Sequence, residues 1–500
     1  MNKERSAFEK IRLGKQEIIS FLLPLLAMLG IFVAKGVFPF GKESFLRTDL
    51  YHQYAPFFQE FQRKLQSGES LLYSFHIGLG SNFIALIAYY LASPLNWFIL
   101  LFPKGLVIEY VSYLVLLKIA LTGATASLYF RYHFQKNSPY FIIFALFYAL
   151  SGYIAAYSWN VMWLDCVLLF PLILLGLERM MDRGEVGLYT VSLALSILSN
   201  YYISIMICLF LVVYFLFQFF FILRERRQGI FLILFRFGLY SLLAGAMAAV
   251  FLLPAYFALR FTASSSISFP KTFTQYFGII DMLARQFAFV ETEQGLKHWP
   301  NIYAGTLLLF LIPLYYRNQS ISLSRKCFYA ILSIFFFLSF SINVLNFIWH
   351  GFHYPNSLPA RQSFIYIFLV LFMAFRAYDK FRANTLKELG MATVGSLGFI
   401  LLAQKTVEQK HFGFGVYYAS LILIAIYALL LYLWKKKRIN VNALIIATLV
   451  ILSVEMTANT GLTSVTTVSR KDYKDDNADV AKVLKDLPND TFYRFEKVTR

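Results

Sequence analysis

Apolar stretches of about 18 residues or more recur from Ile18 to Ala458, broken by short polar connections. Each can cross the ~30 Å hydrocarbon slab as one α-helix, the open-chain element that satisfies its own backbone hydrogen bonds there. The pattern predicts spans near 18–38, 106–130, 138–158, 161–178, 187–200, 201–223, 229–258, 302–316, 327–348, 362–376, 389–404, 413–434 and 441–459. The expected fold class is an all-α polytopic membrane protein of about 13 transmembrane helices. Segment 82–102 is also apolar, but Pro94, Asn96, Tyr89, Tyr90 and Trp97 suit an interfacial or re-entrant course as well as a crossing.

Charge chooses between those courses. If 82–102 does not cross, the basic N-terminus (Lys3, Arg5, Lys10, Arg12, Lys15), Arg224 to Arg227, Arg376 to Lys387 and Lys435 to Arg438 share one face, which then holds about twice as many Lys and Arg as the other. If it crosses, the later basic clusters invert. The positive-inside rule therefore predicts a cytoplasmic N-terminus and an outer C-terminus. The basic head resembles that of a signal peptide, but the apolar run behind it is about twice as long as a signal core and reads as a retained helix.

The domain reading is a cytoplasmic N-terminus at 1–17 and a membrane domain at 18–459 with outer loops 39–81, 259–301 and 349–361. Residues 460–500 turn polar and read as the start of an extracytoplasmic C-terminal domain, cut short.

Composition agrees: 59% hydrophobic, 19% aromatic and 15% charged residues exclude a soluble enzyme. Topology and anionic inner-leaflet lipid account for the net charge of +19, so no nucleic-acid partner is expected. Cys166, Cys208 and Cys327 lie in or beside apolar runs without CxxC spacing, which supports neither a disulfide framework nor a zinc site.

Chemistry is expected in the outer loops. Arg47, Asp49, His52, Gln53 and Tyr54 follow directly after the first span, and Asp49 and His52, three apart, would share a helix face. A carboxylate at the rim of a membrane cavity suits a general base. Equally, Thr48 or Asp49 suits the cap of an amphipathic helix through Tyr51, Phe57, Phe58 and Phe61. Gly78-Leu79-Gly80-Ser81-Asn82 lacks nucleotide-loop spacing and reads as a tight turn.

Asp165 is an ionisable group near the outer end of a span, costly unless paired or open to a water-filled cavity. Asn200, Tyr201 and Tyr202 mark an outer turn between close helices. In WHGFHYPNSLPARQSF, His350, His353 and Arg361 gather beside Pro355 and Pro359. An arginine at the outer interface opposes the topology rule; it suits a phosphate ligand or simple snorkelling to headgroups. No carboxylate lies near the two histidines in sequence, so no metal site is assigned. Glu455 is a further intramembrane acid.

The runs SFLRTDLYHQYAPFF, LLYSFHIGLGSN, AYYLASPLNW, SNYYISIM and HYPNSLPARQSF together resemble the bacterial YfhO family, membrane proteins related to the GT-C glycosyltransferases. The resemblance implies a GT-C-like fold and an outward-facing enzyme of the bacterial plasma membrane. Its partners would be a polyprenyl-phosphate-linked sugar donor, a cell-wall polymer acceptor such as lipoteichoic acid, and membrane lipids. It also implies an essential acid in the first outer loop, here Asp49, with Asp165 in a second acidic role and, in longer members, an extracytoplasmic domain after the spans.

The catalytic candidates are thus Asp49, His52 and Asp165, and the substrate-binding candidates Arg361, His353, Arg47, Tyr54, Asn200 and Tyr201. A polyprenyl phosphate leaves without a general acid because its second pKa is ~6. What remains is a base, Asp49 supported by His52, and a cation, Arg361, for the departing phosphate. No cofactor is required on this scheme, and a divalent cation is left open. The rival readings are a lipid-linked saccharide flippase or transporter, and a non-enzymatic partner in cell-wall polymer assembly; transporters favour mid-membrane charges over a long polar outer loop.

Overall fold

The computed structural model describes residues 11–78, 80–225, 229–262, 267–408 and 412–485. Lys3, Arg5 and Lys10, Leu79, Arg226 and Arg227, and residues 486–500 of the polar tail lie outside the described residues. Within them the chain is a helix bundle with two short two-stranded sheets. The elements that position the site are α1 (Lys15–Ala34), β1 (Glu43–Ser44), α2 (Ala55–Ser67), β2 (Tyr73–Ser74), β3 (Ser81–Asn82), α3 (Val107–Phe134), α4 (Val161–Arg183), α5 (Gly187–Ser199), α6 (Tyr201–Glu225), α7 (Ser363–Asp379), α8 (Val441–Thr463), β4 (Val468–Ser469) and α9 (Arg470–Lys485).

Among the described residues ten helices are long and apolar enough to cross a membrane, or eleven if the bent pair Phe83–Leu91 and Pro94–Leu101 is one span. The count of thirteen expected from hydropathy is not confirmed by length and composition. Spans 187–200, 302–316 and 362–376 hold helices of 13, 11 and 17 residues. At 1.5 Å per residue these reach about 20, 17 and 26 Å against the ~30 Å of the slab. At 302–316 the cause is visible: residues 302–306 are buried but not helical. Protein supplies the missing backbone partners, since Gly152 N donates to Tyr303 O and Thr306 N to the Glu455 carboxylate. Hydropathy counts apolar residues and is blind to such exchanges.

Glycine allows the tightest packing. A Cβ on Gly123 of α3 would meet Ser20 O of α1 at 2.2 Å, and one on Gly176 of α4 would meet Tyr189 N of α5 at 2.4 Å. Small residues at such crossings let helix backbones approach where lipid offers no hydrophobic drive between helices.

Polar contacts define the two ends of the bundle. At the N-terminal end, Arg131 pairs with Glu17 at 3.0 Å, His133 with Glu178 at 2.7 Å and Lys136 with Asp379 at 2.9 Å. At the first-loop end, β1 pairs antiparallel with β4 in the register Glu43↔Ser469, and Arg470 pairs with Glu109 at the start of α3. Segment 82–102 is held at this end on both sides: Asn82 pairs with Tyr73 in the β2–β3 hairpin, and Gln62 of α2 donates to Phe102 O at 2.7 Å. Between those ties the segment bends by 101°.

Candidate functional site

The first loop reaches Asp49 through a strained step. Thr48 adopts φ +47°, a left-handed conformation unfavourable for a β-branched residue and of the kind that gathers at functional sites. A π-helical turn, Leu50–Tyr54, follows and buries Leu50 and Tyr54 while Asp49 and His52 stay exposed. Asp49 occupies the cap position of that turn, yet its side chain accepts no capping hydrogen bond. The capping role weighed from sequence is therefore not the one seen.

Tyr54 donates to Asn160 Oδ1 at 2.9 Å and lies 6.1 Å from the Trp159 ring and 5.4 Å from that of Tyr90. Burial pushes its phenol pKa up; Asp49 adds to the rise and Arg361 opposes it. Tyr89 lies in the fields of the same two charges. Ring contacts run from Tyr54 to Tyr90 at 5.4 Å, Tyr90 to Tyr89 at 4.6 Å and Tyr89 to Tyr202 at 6.2 Å, so the turn that Asp49 opens and the loop that ends at Arg361 meet across one set of aromatic rings at one end of the bundle.

Arg361 begins where the third loop meets α7. Leu358 and Ala360 take φ +58° and +51°, a second strained approach to a candidate residue. The guanidinium is fixed on every side: Nε donates to Leu358 O at 3.1 Å, Nη2 to Ser357 O at 3.1 Å and Nη1 to Tyr202 Oη at 2.9 Å. It also lies 5.2 Å from the rings of both Trp163 and Tyr202. All of these hydrogen-bond partners are neutral, so none of them cancels its charge. Tyr157 steadies the loop by donating to Pro359 O at 2.6 Å.

The other candidates do different work. Arg47 is 7% exposed and donates to Ala155 O and Ala156 O at 3.3 and 3.1 Å; burial lowers its pKa to about 10, so it stays charged at neutral pH. Asn200 terminates α5, donates to Tyr89 O at 2.9 Å and accepts from Ile203 N, which starts α6. Tyr201 meets Tyr89 edge-on at 5.7 Å. His353 contacts Gly351 O in its own turn at 3.0 Å and is not among the partners of Arg361. His350 is buried beside Asn346 O; burial first, then Arg361, lowers its pKa to about 3 and keeps it neutral.

Asp165 is 3% exposed and sealed in an ion pair. Lys118 of α3 meets Oδ2 at 2.5 Å, and Ser93 of the bent segment donates to Oδ1 at 2.7 Å. These contacts fix the bent segment to α3 and α4. Sequence reasoning missed Lys118, although a lone lysine in VLLKIALTG demands an acid somewhere in the bundle. It also named Tyr201 where Tyr202 holds Arg361, since neighbours on a helix point 100° apart and periodicity alone does not choose between them. Glu455 is met by Tyr303, Tyr427 and the Thr306 amide. Among the described residues no group of three or more His, Cys, Asp or Glu side chains is placed to hold a metal ion.

The chain is a polytopic α-helical membrane protein that gathers an acid, a guanidinium and a set of aromatic rings at one end of its bundle. It belongs to the YfhO family, described as "Bacterial membrane protein YfhO", whose match covers residues 20–500. No curated protein matches it. Among solved structures it is similar to ArnT from Cupriavidus metallidurans, crystallised bound to undecaprenyl phosphate, at 15% identity over 94% of this chain and 81% of that one, with a TM-score of 0.43.

Proposed function

We propose that this protein is a GT-C-type membrane glycosyltransferase that moves a sugar from a polyprenyl-phosphate carrier to a cell-wall polymer of the lipoteichoic acid kind on the outer face of the membrane. The observation that carries the reading is the run of ring contacts from Tyr54, on the turn that Asp49 opens, through Tyr90 and Tyr89 to Tyr202, whose hydroxyl holds Arg361. An uncancelled, rigidly held guanidinium beside aromatic walls suits a phosphate headgroup, and an exposed carboxylate close by suits a proton acceptor.

The acceptor hydroxyl oxygen attacks the sugar's anomeric carbon and forms the new C–O bond. The bond from that carbon to the phosphate oxygen breaks, its electron pair leaves with the polyprenyl phosphate, and Asp49 takes the hydroxyl proton. Arg361 stabilises the charge on the departing phosphate. The site faces outward on this reading, the N-terminus lies in the cytoplasm, segment 82–102 re-enters without crossing, and β4 and α9 lie on the outer side. Asp165, enclosed by Lys118 and Ser93, positions the bent segment and takes no part in proton transfer.

Asp49→Asn tests the reading in proteoliposomes supplied with undecaprenyl-phosphate-linked glucose or N-acetylglucosamine and lipoteichoic acid. Transfer should fall about 10²- to 10⁴-fold with expression and carrier binding intact. Transfer at the native rate by the Asn variant removes Asp49 as the base.

A further inference from the structure

From His52, three residues after Asp49, a cavity of about 420 Å³ runs along α2, lined by His52, Pro56, Phe57, Gln59, Glu60, Arg63, His76, Ile77 and Gly78. One wall is a single helical face: His52, Pro56, Gln59, Glu60 and Arg63 recur at the spacings that stack side chains on one side of the π-turn and α2. The other wall is the β2–β3 hairpin. Its distance from α2 is fixed, because Ser74 Oγ donates to Glu60 at 2.7 Å and His76 Nδ1 lies 3.3 Å from the same carboxylate.

The charges inside are already matched. Arg63 donates from Nε and Nη2 to Glu60 at 2.8 and 2.9 Å and from Nη2 to Glu69 at 2.7 Å. What the cavity offers a ligand is therefore the amide of Gln59 and the imidazoles of His52 and His76, set against the apolar surfaces of Pro56, Phe57 and Ile77. Hydrogen-bonding groups beside apolar faces match a polyhydroxylated ring, whose hydroxyls and C–H face need both kinds of contact. The one arginine of the lining is already held by two carboxylates. The volume falls within the ~300–1,000 Å³ of small-molecule sites.

The cavity is joined to the site already described. The Phe57 ring packs against Tyr90 at 5.0 Å, Tyr90 lies in the field of Asp49, and His52 stands one helical turn beyond that acid. We propose that this cavity is the acceptor subsite, seating a neutral sugar or polyol unit of the acceptor polymer so that its hydroxyl meets Asp49. The proposal rests on the glycosyl-transfer reading and adds to it the class of group recognised on the acceptor side.

Two variants outside the catalytic set test it. Gln59 is exposed and Gln59→Trp fills the cavity, while His76→Ala removes a hydrogen-bonding group from the opposite wall. In proteoliposomes with undecaprenyl-phosphate-linked glucose and lipoteichoic acid, both should raise KM for lipoteichoic acid by about five- to tenfold and leave KM for the donor within twofold. Because turnover depends on Asp49 as well, binding is read separately on the full chain in nanodiscs. Saturation-transfer NMR with glucose, N-acetylglucosamine and maltotriose should show contact in the native protein and in Asp49→Asn, and none in Gln59→Trp. An unchanged acceptor KM in Gln59→Trp overturns the subsite, and so does displacement of the bound saccharide by inorganic phosphate. If instead Asp49→Asn keeps transfer while Gln59→Trp abolishes saccharide contact, the chemistry assigned to Asp49 fails and the subsite stands.

Discussion

Arg361 is the residue whose surroundings say most about its use. A guanidinium that merely snorkelled would lie along lipid with its tip in water, whereas this one is clamped by two loop carbonyls and a phenol and lies over two rings. Its rigidity favours a ligand with matching geometry, since little side-chain freedom is lost on binding. Arg361→Ala should weaken binding of undecaprenyl phosphate by about 10- to 100-fold, the range of a charge-assisted hydrogen bond, and Arg361→Lys should retain part of it. Tryptophan fluorescence titration reads this directly, with Trp163 as reporter. Equal carrier affinity in all three proteins excludes Arg361 from the site. The sequence made this residue conspicuous because a cation at an outer interface runs against the topology rule. It could not choose Tyr202 over Tyr201, a choice that depends on a rotation about the helix axis, and it concealed the local conformation at Thr48 and Ala360 behind ordinary residue types.

At the scale of elements, the buried pair Lys118–Asp165 joins α3 to α4 and, through Ser93, to the bent segment that carries Tyr89 and Tyr90. Asp165→Leu strands an ammonium that is 0% exposed, which should cost about 3–5 kcal/mol of stability. The double variant Asp165→Leu with Lys118→Met should recover most of the loss, because a matched apolar pair replaces a matched ionic one. Thermal unfolding in detergent measures the recovery, and transfer activity separates positioning from chemistry: a double variant that is stable yet inactive would return Asp165 to the catalytic set. Helix existence was legible from apolar runs. Helix interruption was not, because the breaks at Ser151 and Ile342 are set by partners distant in the chain: Gly152 N donates to Tyr303 O and Asn343 N to Thr274 O.

For the whole molecule, alternation of basic and polar loops predicted which connections lie together, and the ion pairs at the N-terminal end involve the basic ones: Arg131, Lys136 and the His133–Glu178 pair. Which end faces the cell interior is a matter of insertion and has a direct test. In a Cys327→Ser background, Ser70→Cys should react with a membrane-impermeant maleimide applied to intact cells, and Lys387→Cys should react only after permeabilisation. The opposite pattern inverts the proposed orientation.

The pairing of Glu43 with Ser469 sets a schedule for maturation. A strand partner for the loop that bears Asp49 emerges from the ribosome only after the final apolar helix, more than four hundred residues later, and Arg361 itself arrives late. Nascent chains still threading through the translocon therefore carry the acid without the cation or the clasp. On the proposed reading, a nascent chain gains the complete site only once both the cation and the pairing strand have been made.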